Sequence, residues 1–378
     1  MKIGINGYEA VVSRFGYAEK TGLPNRVGSS EFCFQLLSNL AKIDKSNDYL
    51  IYLPVKPASD MPKENNNWHY EIFSQKLWTL MGLSRKFLSK QNKPDVFFSP
   101  THYLPLLTSR NSVIAILDVS YLHFPQLFKK KDLYQLKLWG GYSIKKAKKI
   151  ITISKSSKND IIKAYGVSED KIEVIYPGIK QVVSARNEVS DMNELNKKFG
   201  VDDEYILFVG TLQPRKNIEK LVEAFSTIKN KKLKLVIVGK KGWMFEDILK
   251  APGRYGVSDR VKFLENVSDD DLPSFYKNAI CFVLPSLYEG FGLPVLEAMQ
   301  YGCPVLTSNI SSLPEAGGDA AIYFDPENTQ DIAGKIEKVV NDDKLRREMI
   351  KKGHEQVKKF SWEKTARETL KVLEEVGK

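Results

Sequence analysis

Short apolar runs of strand-like composition alternate along this chain with amphipathic stretches, and they do so in two separate series. The first comprises Lys2–Asn6, Asp48–Leu53, Val96–Ser99, Val113–Leu117 and Lys149–Ile153. The second comprises Tyr205–Val209, Leu233–Val238, Val261–Phe263, Ala279–Leu284 and Val305–Thr307. Runs apolar on both faces, separated by stretches long enough for helical crossovers, predict parallel sheets covered by helices. At 378 residues the chain also exceeds the roughly 250 to 300 at which one hydrophobic core stops growing, so two α/β units are expected. Pro177-Gly178 closes the first series, and a polar stretch from Gln181 to Glu204 precedes the second. The reading is a first domain over residues 1–180, a second over 181–360 and a terminal helix over 361–378. That helix has Ser361 as N-cap and Trp362, Leu370 and Leu373 among its apolar contacts. No internal repeat or low-complexity tract interrupts this plan.

Composition removes several classes. No apolar run approaches the roughly 18 to 20 residues needed to cross a bilayer as a helix. The start, Met1-Lys2-Ile3-Gly4-Ile5-Asn6-Gly7, has too short an apolar stretch for a secretory leader, which gives cytoplasmic residence as the expectation. Cys33, Cys281 and Cys303 are widely spaced, with no CxxC and no histidine cluster, so neither a disulfide framework nor a zinc site is expected. The net charge of +11 is unevenly placed. Residues 1–180 hold 27 Lys and Arg against 15 Asp and Glu, whereas residues 181–378 hold 30 against 31. The basic excess belongs to the first half, which suits an anionic partner there.

Two segments carry chemistry. Val209-Gly210-Thr211-Leu212-Gln213-Pro214-Arg215-Lys216-Asn217 follows a predicted strand and opens a predicted helix near Ile218. Such a junction turns backbone N–H groups and the positive helix end into the crevice where open α/β sheets bind ligands, and Arg215 and Lys216 add full charges suited to a diphosphate. Ser286-Leu287-Tyr288-Glu289-Gly290-Phe291-Gly292-Leu293-Pro294-Val295-Leu296-Glu297-Ala298-Met299 follows another strand. Pro294 fits a first helical turn, Gly290 and Gly292 allow close approach of the backbone to a ligand, and the amides of Phe291, Gly292 and Leu293 would face an anion. Glu289 and Glu297 frame that loop, the second within reach of a ribose diol. Asp269-Asp270-Asp271 has the look of a metal-binding DxD but reads as an acidic helix start, because Leu272, Phe275 and Tyr276 follow it at helical spacing. No metal is expected.

With seven residues between Glu289 and Glu297, the second segment resembles the signature of the retaining family 4, or group 1, glycosyltransferases. The likeness extends to Val209–Asn217, Val238–Trp243, Val261–Leu264, Cys303-Pro304-Val305, Leu313–Ala321 and Phe360-Ser361-Trp362. In the first half it includes Asp118-Val119-Ser120 with Pro125, Ile151–Ser154 and Val174–Gly178, and it is weakest over residues 7–27 and 55–95. The resemblance implies a GT-B fold: two Rossmann-like domains facing each other across a cleft, with the acceptor on the first, the donor on the second, and the C-terminal helix crossing back to the first. It implies Arg215 and Lys216 as the diphosphate clamp, with Gly210 and Thr211 in the same loop. It further implies Gly290, Phe291, Gly292 and Leu293 at the phosphate and sugar oxygens, Glu297 at the ribose and Glu289 facing the transferred sugar. Gly28, before a helix beginning about Ser29-Ser30, matches a loop meeting the diphosphate from the first domain, although residues 7–27 are longer than usual. Asp118 matches a catalytic position that the family commonly precedes with histidine; this chain has Leu117. A leucine cannot bond a donor 6-hydroxyl, so either the sugar is 6-deoxy or otherwise modified, or His123 or a water substitutes.

The implied function is metal-independent, retaining hexosyl transfer from a nucleotide sugar to a glycan or lipid-linked acceptor in cell-surface polysaccharide or glycoconjugate synthesis, with no cofactor. The alternatives are a non-catalytic nucleotide-sugar-binding partner subunit and, on the same architecture, a sugar-nucleotide epimerase. Nucleic acid is not expected, because the lysines are spread along helices rather than clustered with aromatics. The basic half suggests an anionic membrane at the inner face. There Lys76, Lys86, Lys90 and Lys93 alternate with Trp78, Leu80, Met81, Leu83, Phe87 and Leu88, and Lys129–Lys131 and Lys145–Lys149 add charge. The same apolar residues also suit packing against the first sheet.

Overall fold

The computed structural model describes residues 1–12, 16–17, 21–88, 93–180, 192–202 and 204–378. It divides into two compact units, Met1–Lys180 with Phe360–Lys378, and Gln181–Lys359.

The first unit contains strands β1 (Lys2–Asn6), β2 (Asp48–Leu53), β3 (Trp68–Ile72), β4 (Val96–Ser99), β5 (Ser112–Ala115), β6 (Lys149–Thr152) and β7 (Ile172–Val174). They form one sheet in the order β3-β2-β1-β4-β5-β6-β7, every pairing parallel. The second unit contains β8 (Tyr205–Val209), β9 (Lys234–Val238), β10 (Val261–Leu264), β11 (Cys281–Leu284), β12 (Val305–Ser308) and β13 (Ala321–Phe324), ordered β10-β9-β8-β11-β12-β13 and again all parallel. Both are Rossmann-like α/β sheets. Each has a switch point where the strand order reverses, between β1 and β4 and between β8 and β11, and crevices for ligands open at such points.

Three strands, β3, β7 and β13, fall outside the runs read from the sequence, and all three are sheet edges. An edge strand is covered less completely, so it need not be a continuous apolar run: β3 carries exposed His69, and β13 is half-buried at three of its four positions. The expected run Val113–Leu117 is also corrected: the strand is Ser112–Ala115, with Ile116 and Leu117 beyond its end. The three cysteines are free and buried.

The segment 76–88 is corrected more sharply. Its Trp78, Leu83 and Phe87 belong to the core of the first unit together with Tyr52, Phe97 and Ile114, and Leu80 is buried as well. Trp78, Leu80, Leu83 and Phe87 therefore pack inward against the first sheet, whereas Met81 and Leu88, which the membrane reading also named, stay exposed. Lys90 lies outside the described residues.

The terminal helix Trp362–Gly377 belongs to the first unit. Ser361 caps it, its hydroxyl accepting from Lys364 N at 3.2 Å. Trp362, Ala366, Thr369, Leu373 and Val376 form its buried stripe at helical spacing. The Thr365 hydroxyl donates to Tyr176 O at 2.8 Å, Lys148 Nζ to Val376 O at 3.1 Å and Asn47 Nδ2 to Glu374 Oε1 at 3.0 Å. Gly178 has no room for a side chain, since a Cβ there would meet Trp362 N at 2.1 Å.

Candidate functional site

The loops after β8 and β11 flank the switch point of the second sheet, and they are bonded to one another. After β8 the chain passes Gly210, where the amide donates to Val238 O at 2.9 Å, and reaches a single 3-10 turn, Pro214–Lys216. Asn217 ends that turn in the left-handed conformation, φ 56°, and the helix Ile218–Thr227 begins. The Asn217 side chain anchors the reversal, Nδ2 donating to Pro326 O at 2.8 Å. After β11, Pro285 and Ser286 lead into Glu289, and Leu287 N donates to Arg215 O at 2.9 Å.

Glu289 stands at the junction. Lys216 Nζ donates to its Oε1 at 2.5 Å, Ser286 Oγ donates to the same oxygen at 2.7 Å, and Arg215 donates to Oε2 at 3.2 Å. Arg215 also donates to the Tyr288 carbonyl. Glu289 and Lys216 are 7% and 8% exposed, so these charges are removed from bulk water. Burial pushes the Glu289 carboxyl upward, but the Lys216 and Arg215 charges, with the Lys216 and Ser286 hydrogen bonds, outweigh it and hold the pKa at about 2. The carboxylate is ionised at neutral pH. One negative and two positive side chains leave a net positive charge at the rim. The Glu289 carbonyl accepts from the hydroxyls of Ser311 and Ser312, each at 2.8 Å, which fixes this loop to the one after β12.

Beyond Glu289, Gly292 (φ 108°) is the N-cap of the helix Leu293–Gln300, which carries Pro294 in its first turn and has no side-chain cap. Any other residue at 292 would be strained by that φ and would drive a Cβ to 2.8 Å from Leu313 Cδ2. The helix N-terminus is therefore brought close to its neighbour, and its N-cap, a glycine, supplies no side-chain cap of its own, a suitable setting for an anion. Glu297 lies in the second turn, half-buried, and accepts from Tyr276 Oη at 3.1 Å. Tyr276 is held neutral, its pKa raised well above the usual value by burial and then by the Glu297 charge.

The sequence-predicted residues thus fall into groups. Arg215, Lys216 and Glu289 meet directly, with the Lys216 stem beside Gly210, 3.8 Å from where a Cβ would stand. Thr211 is exposed in the same loop, and Gly290, Phe291, Gly292 and Leu293 lead into the uncapped helix. Glu297 is engaged separately, with Tyr276. Asp271, of the acidic run, is the N-cap of the helix Leu272–Asn278 and accepts from Lys198 Nζ at 2.6 Å and Ser268 Oγ at 2.5 Å. Gly28 and Asp118 belong to the first unit. Gly28 precedes the helix Ser29–Ile43 with φ 57°, and Asp118 accepts from Ser120 N at 2.9 Å at the C-terminal side of β5. Leu117 is buried, and His123 Nε2 lies 3.1 Å from Asp160 Oδ2. Sequence reasoning missed Ser311, Ser312 and Tyr276 as supports. It also missed Gln213, which is 4% exposed and whose buried Oε1 has no hydrogen-bond partner.

Comparison with known proteins matches residues 191–356 to the family described as glycosyl transferases group 1, and residues 54–181 to that described as Glycosyltransferase Family 4. The chain is 32% identical over 281 residues to O-antigen chain mannosyltransferase B of Escherichia coli, covering 74% of each chain. It is 30% identical over 262 residues to O-antigen chain mannosyltransferase RfbU of Salmonella typhimurium, covering 68% of each. Among solved structures, sucrose-phosphate synthase from Thermosynechococcus elongatus superposes with a TM-score of 0.72 at 17% identity, over 100% of this chain and 99% of that one. The Anabaena protein HepE, in complex with UDP-glucose, gives 0.71 at 18% identity, over 99% and 100%. The fold shared with these structures is GT-B.

Proposed function

This chain belongs to the group 1 glycosyltransferases, and from that premise we propose that it moves a hexose, mannose first among candidates, from a nucleotide sugar to a glycan or lipid-linked glycan. The configuration at the anomeric carbon is retained, and the work belongs to the building of a cell-surface polysaccharide at the inner face of a membrane. Mannose is suggested by the mannosyltransferase relatives.

The observation that carries this reading is the ion triad of Arg215, Lys216 and Glu289 beside the uncapped helix at Gly292. The reaction breaks the bond between the anomeric carbon and a phosphate oxygen, so negative charge grows on the departing diphosphate. Arg215, Lys216 and the helix N–H groups are prearranged cations and dipoles for that charge, in a partly water-excluded place where such groups act most strongly. The acceptor oxygen bonds to the anomeric carbon on the face the diphosphate leaves, and its proton passes to a phosphate oxygen of the leaving group. Glu289 holds the two cations in position before the donor arrives. Glu297 serves the ribose hydroxyls, its Tyr276 bond fixing one carboxylate oxygen. In this reading the first unit, which carries Asp118 and Gly28, binds the acceptor.

Leu117 favours a second reading of the donor, since an apolar side chain provides no partner for a 6-hydroxyl. In the mannose reading, His123 or a water takes that role.

Release of nucleoside diphosphate from a panel of nucleotide hexoses and 6-deoxyhexoses tests both. The first reading expects the mannose donor to be turned over fastest, the second a 6-deoxy donor. Absence of binding and turnover across the panel would remove the donor assignment.

A further inference from the structure

The basic first unit carries a cluster of exposed apolar side chains that the core does not use. Leu77, Met81, Leu106, Leu107, Tyr134 and Leu138 are between 44% and 68% exposed. They come from three segments joined by hydrogen bonds. Leu106 N donates to Leu80 O at 3.2 Å and Leu107 N to Ser84 Oγ at 3.0 Å, which fixes the middle loop to the segment containing Leu77 and Met81. On its other side, Tyr142 Oη donates to Leu106 O at 2.7 Å and Ser143 Oγ accepts from Leu104 N at 2.9 Å. The helical stretch Lys130–Lys146 is thereby turned with its Tyr142 face to the loop. Leu138 and Tyr134 lie one and two turns before Tyr142 on that face, at spacings of four. Leu77 is also held with a left-handed backbone, φ 52°, an unfavourable conformation for a leucine that the surrounding structure nonetheless maintains.

The charge around this cluster is predominantly positive. Segments 76–88 and 104–146 together contain ten Lys and Arg and two acidic residues. Lys76, Arg85, Lys130, Lys131 and Lys137 are all exposed. Lysine is depleted in protein–protein interfaces, whereas long basic side chains that place their stems on an apolar layer and their charge among anionic headgroups are typical of a lipid surface. We propose that the face formed by Leu77, Met81, Leu106, Leu107, Tyr134 and Leu138 seats the protein on an anionic lipid bilayer, the leucines and Tyr134 entering the headgroup boundary and the lysines pairing with lipid phosphates. This deepens the reading of a membrane-borne acceptor and rests on it. It moves the docking surface away from Trp78, Leu83 and Phe87, which the core occupies.

The test is flotation of the full-length protein with phosphatidylcholine vesicles made with and without phosphatidylglycerol. Wild type is expected to float several-fold better on the anionic vesicles and to keep part of that recovery at high salt, since insertion of apolar groups is not screened. Leu106→Ser/Leu107→Ser should lower anionic recovery about tenfold, and Lys130→Glu/Lys131→Glu/Lys137→Glu by at least as much. Lys351→Glu/Lys352→Glu in the second unit should leave it unchanged. Donor turnover on a water-soluble acceptor, preserved in all of these variants, separates loss of docking from loss of fold or of the proposed chemistry. Equal recovery of wild type on neutral and anionic vesicles, or patch variants that float like wild type, would overturn the proposal. So would a concentration-dependent dimer abolished by Leu106→Ser/Leu107→Ser, which would assign the face to a second copy of the chain.

Discussion

The rims of the two sheets use charge in opposite ways. In the second unit, two cations and a carboxylate are drawn inward onto each other, with Lys216 and Glu289 both less than a tenth exposed. In the first, the larger basic excess stays on the surface, where it borders exposed leucines and a tyrosine. A buried charge must have its partner in place, because the unpaired alternative is several kcal/mol worse, whereas an exposed charge can wait for its partner in solvent. On the proposed function the second rim is a fixed setting for one small anion, and the first surface suits a broad and less specific one. Mutations that break fixed pairing should accordingly cost far more than those that alter surface charge.

The largest effect is expected at Lys216. Lys216→Ala removes a cation from the place where leaving-group charge grows, and about 10²- to 10³-fold should be lost from kcat by analogy with loss of one donor from a charge-stabilising site. The same variant leaves Glu289 with Arg215 and Ser286, so the protein should remain folded by circular dichroism. Near-normal turnover by folded Lys216→Ala protein would contradict the proposed role of the triad. Lys130→Glu, by contrast, should leave turnover on a soluble acceptor untouched, which sharpens the contrast between the two regions.

Next is the response to acid. Glu289 is lowered from 4.5 to about 2 on folding, so its ionised form contributes stability that is fully present above about 4.5 and lost as pH falls toward 2. Order-of-magnitude linkage puts that contribution at a few kcal/mol. Wild type should lose stability over this window in urea unfolding series, and Glu289→Gln should lose less while being less stable at pH 7, since Lys216 then stays buried without a carboxylate. An acid limb unchanged by Glu289→Gln would place the sensitive group elsewhere.

The same contrast between buried and exposed positions explains how much was legible beforehand. Strands β1, β2 and β4 in the first unit and β8, β9 and β11 in the second are covered on both faces, and their apolar runs could be read directly. Edge strands β3, β7 and β13 are covered less and were not found. Arg215, Lys216, Glu289, Gly292 and Glu297 lie on two continuous segments whose spacing carries their chemistry. Ser311, Ser312 and Tyr276 support those residues from other loops and helices, and no local pattern marks a hydroxyl that will meet a distant carbonyl or carboxylate. Segment 76–88 shows the limit of periodicity: it reveals an apolar side but not whether that side meets a core or a surface. Trp78 and Phe87 went inward, and the exposed face had to be assembled from residues up to 61 positions apart, Leu77 to Leu138.

A smaller effect is expected at Tyr276. Its hydroxyl donates to Glu297 Oε2 at 3.1 Å, and removing it in Tyr276→Phe deletes one hydrogen bond to a charged, half-buried group, worth about 1.5 to 3 kcal/mol at most and less where water can replace it. Glu297 remains ionised but less fixed. The donor KM should therefore rise a few-fold with kcat nearly unchanged, the pattern of lost ground-state positioning. A fall in kcat as large as that of Lys216→Ala would mean that Glu297 acts on the reacting centre rather than on the distal part of the donor.

The smallest expected effect is that of chelation. A divalent ion at the diphosphate would need carboxylate oxygens free to bind it, and both oxygens of Glu289 are engaged, one by Lys216 and Ser286 and the other by Arg215. In the acidic run, Asp271 is engaged by Lys198 and Ser268. Displacing Lys216 to admit a cation would exchange one positive charge for another while leaving a buried ammonium without its partner, which is unfavourable. Arg215, Lys216 and the helix end at Gly292 supply positive charge where the cation would stand, so turnover should be the same in EDTA as in magnesium. Loss of activity in EDTA with recovery on adding a divalent ion would show that this rim, unlike its arrangement of side chains, is not self-sufficient in charge.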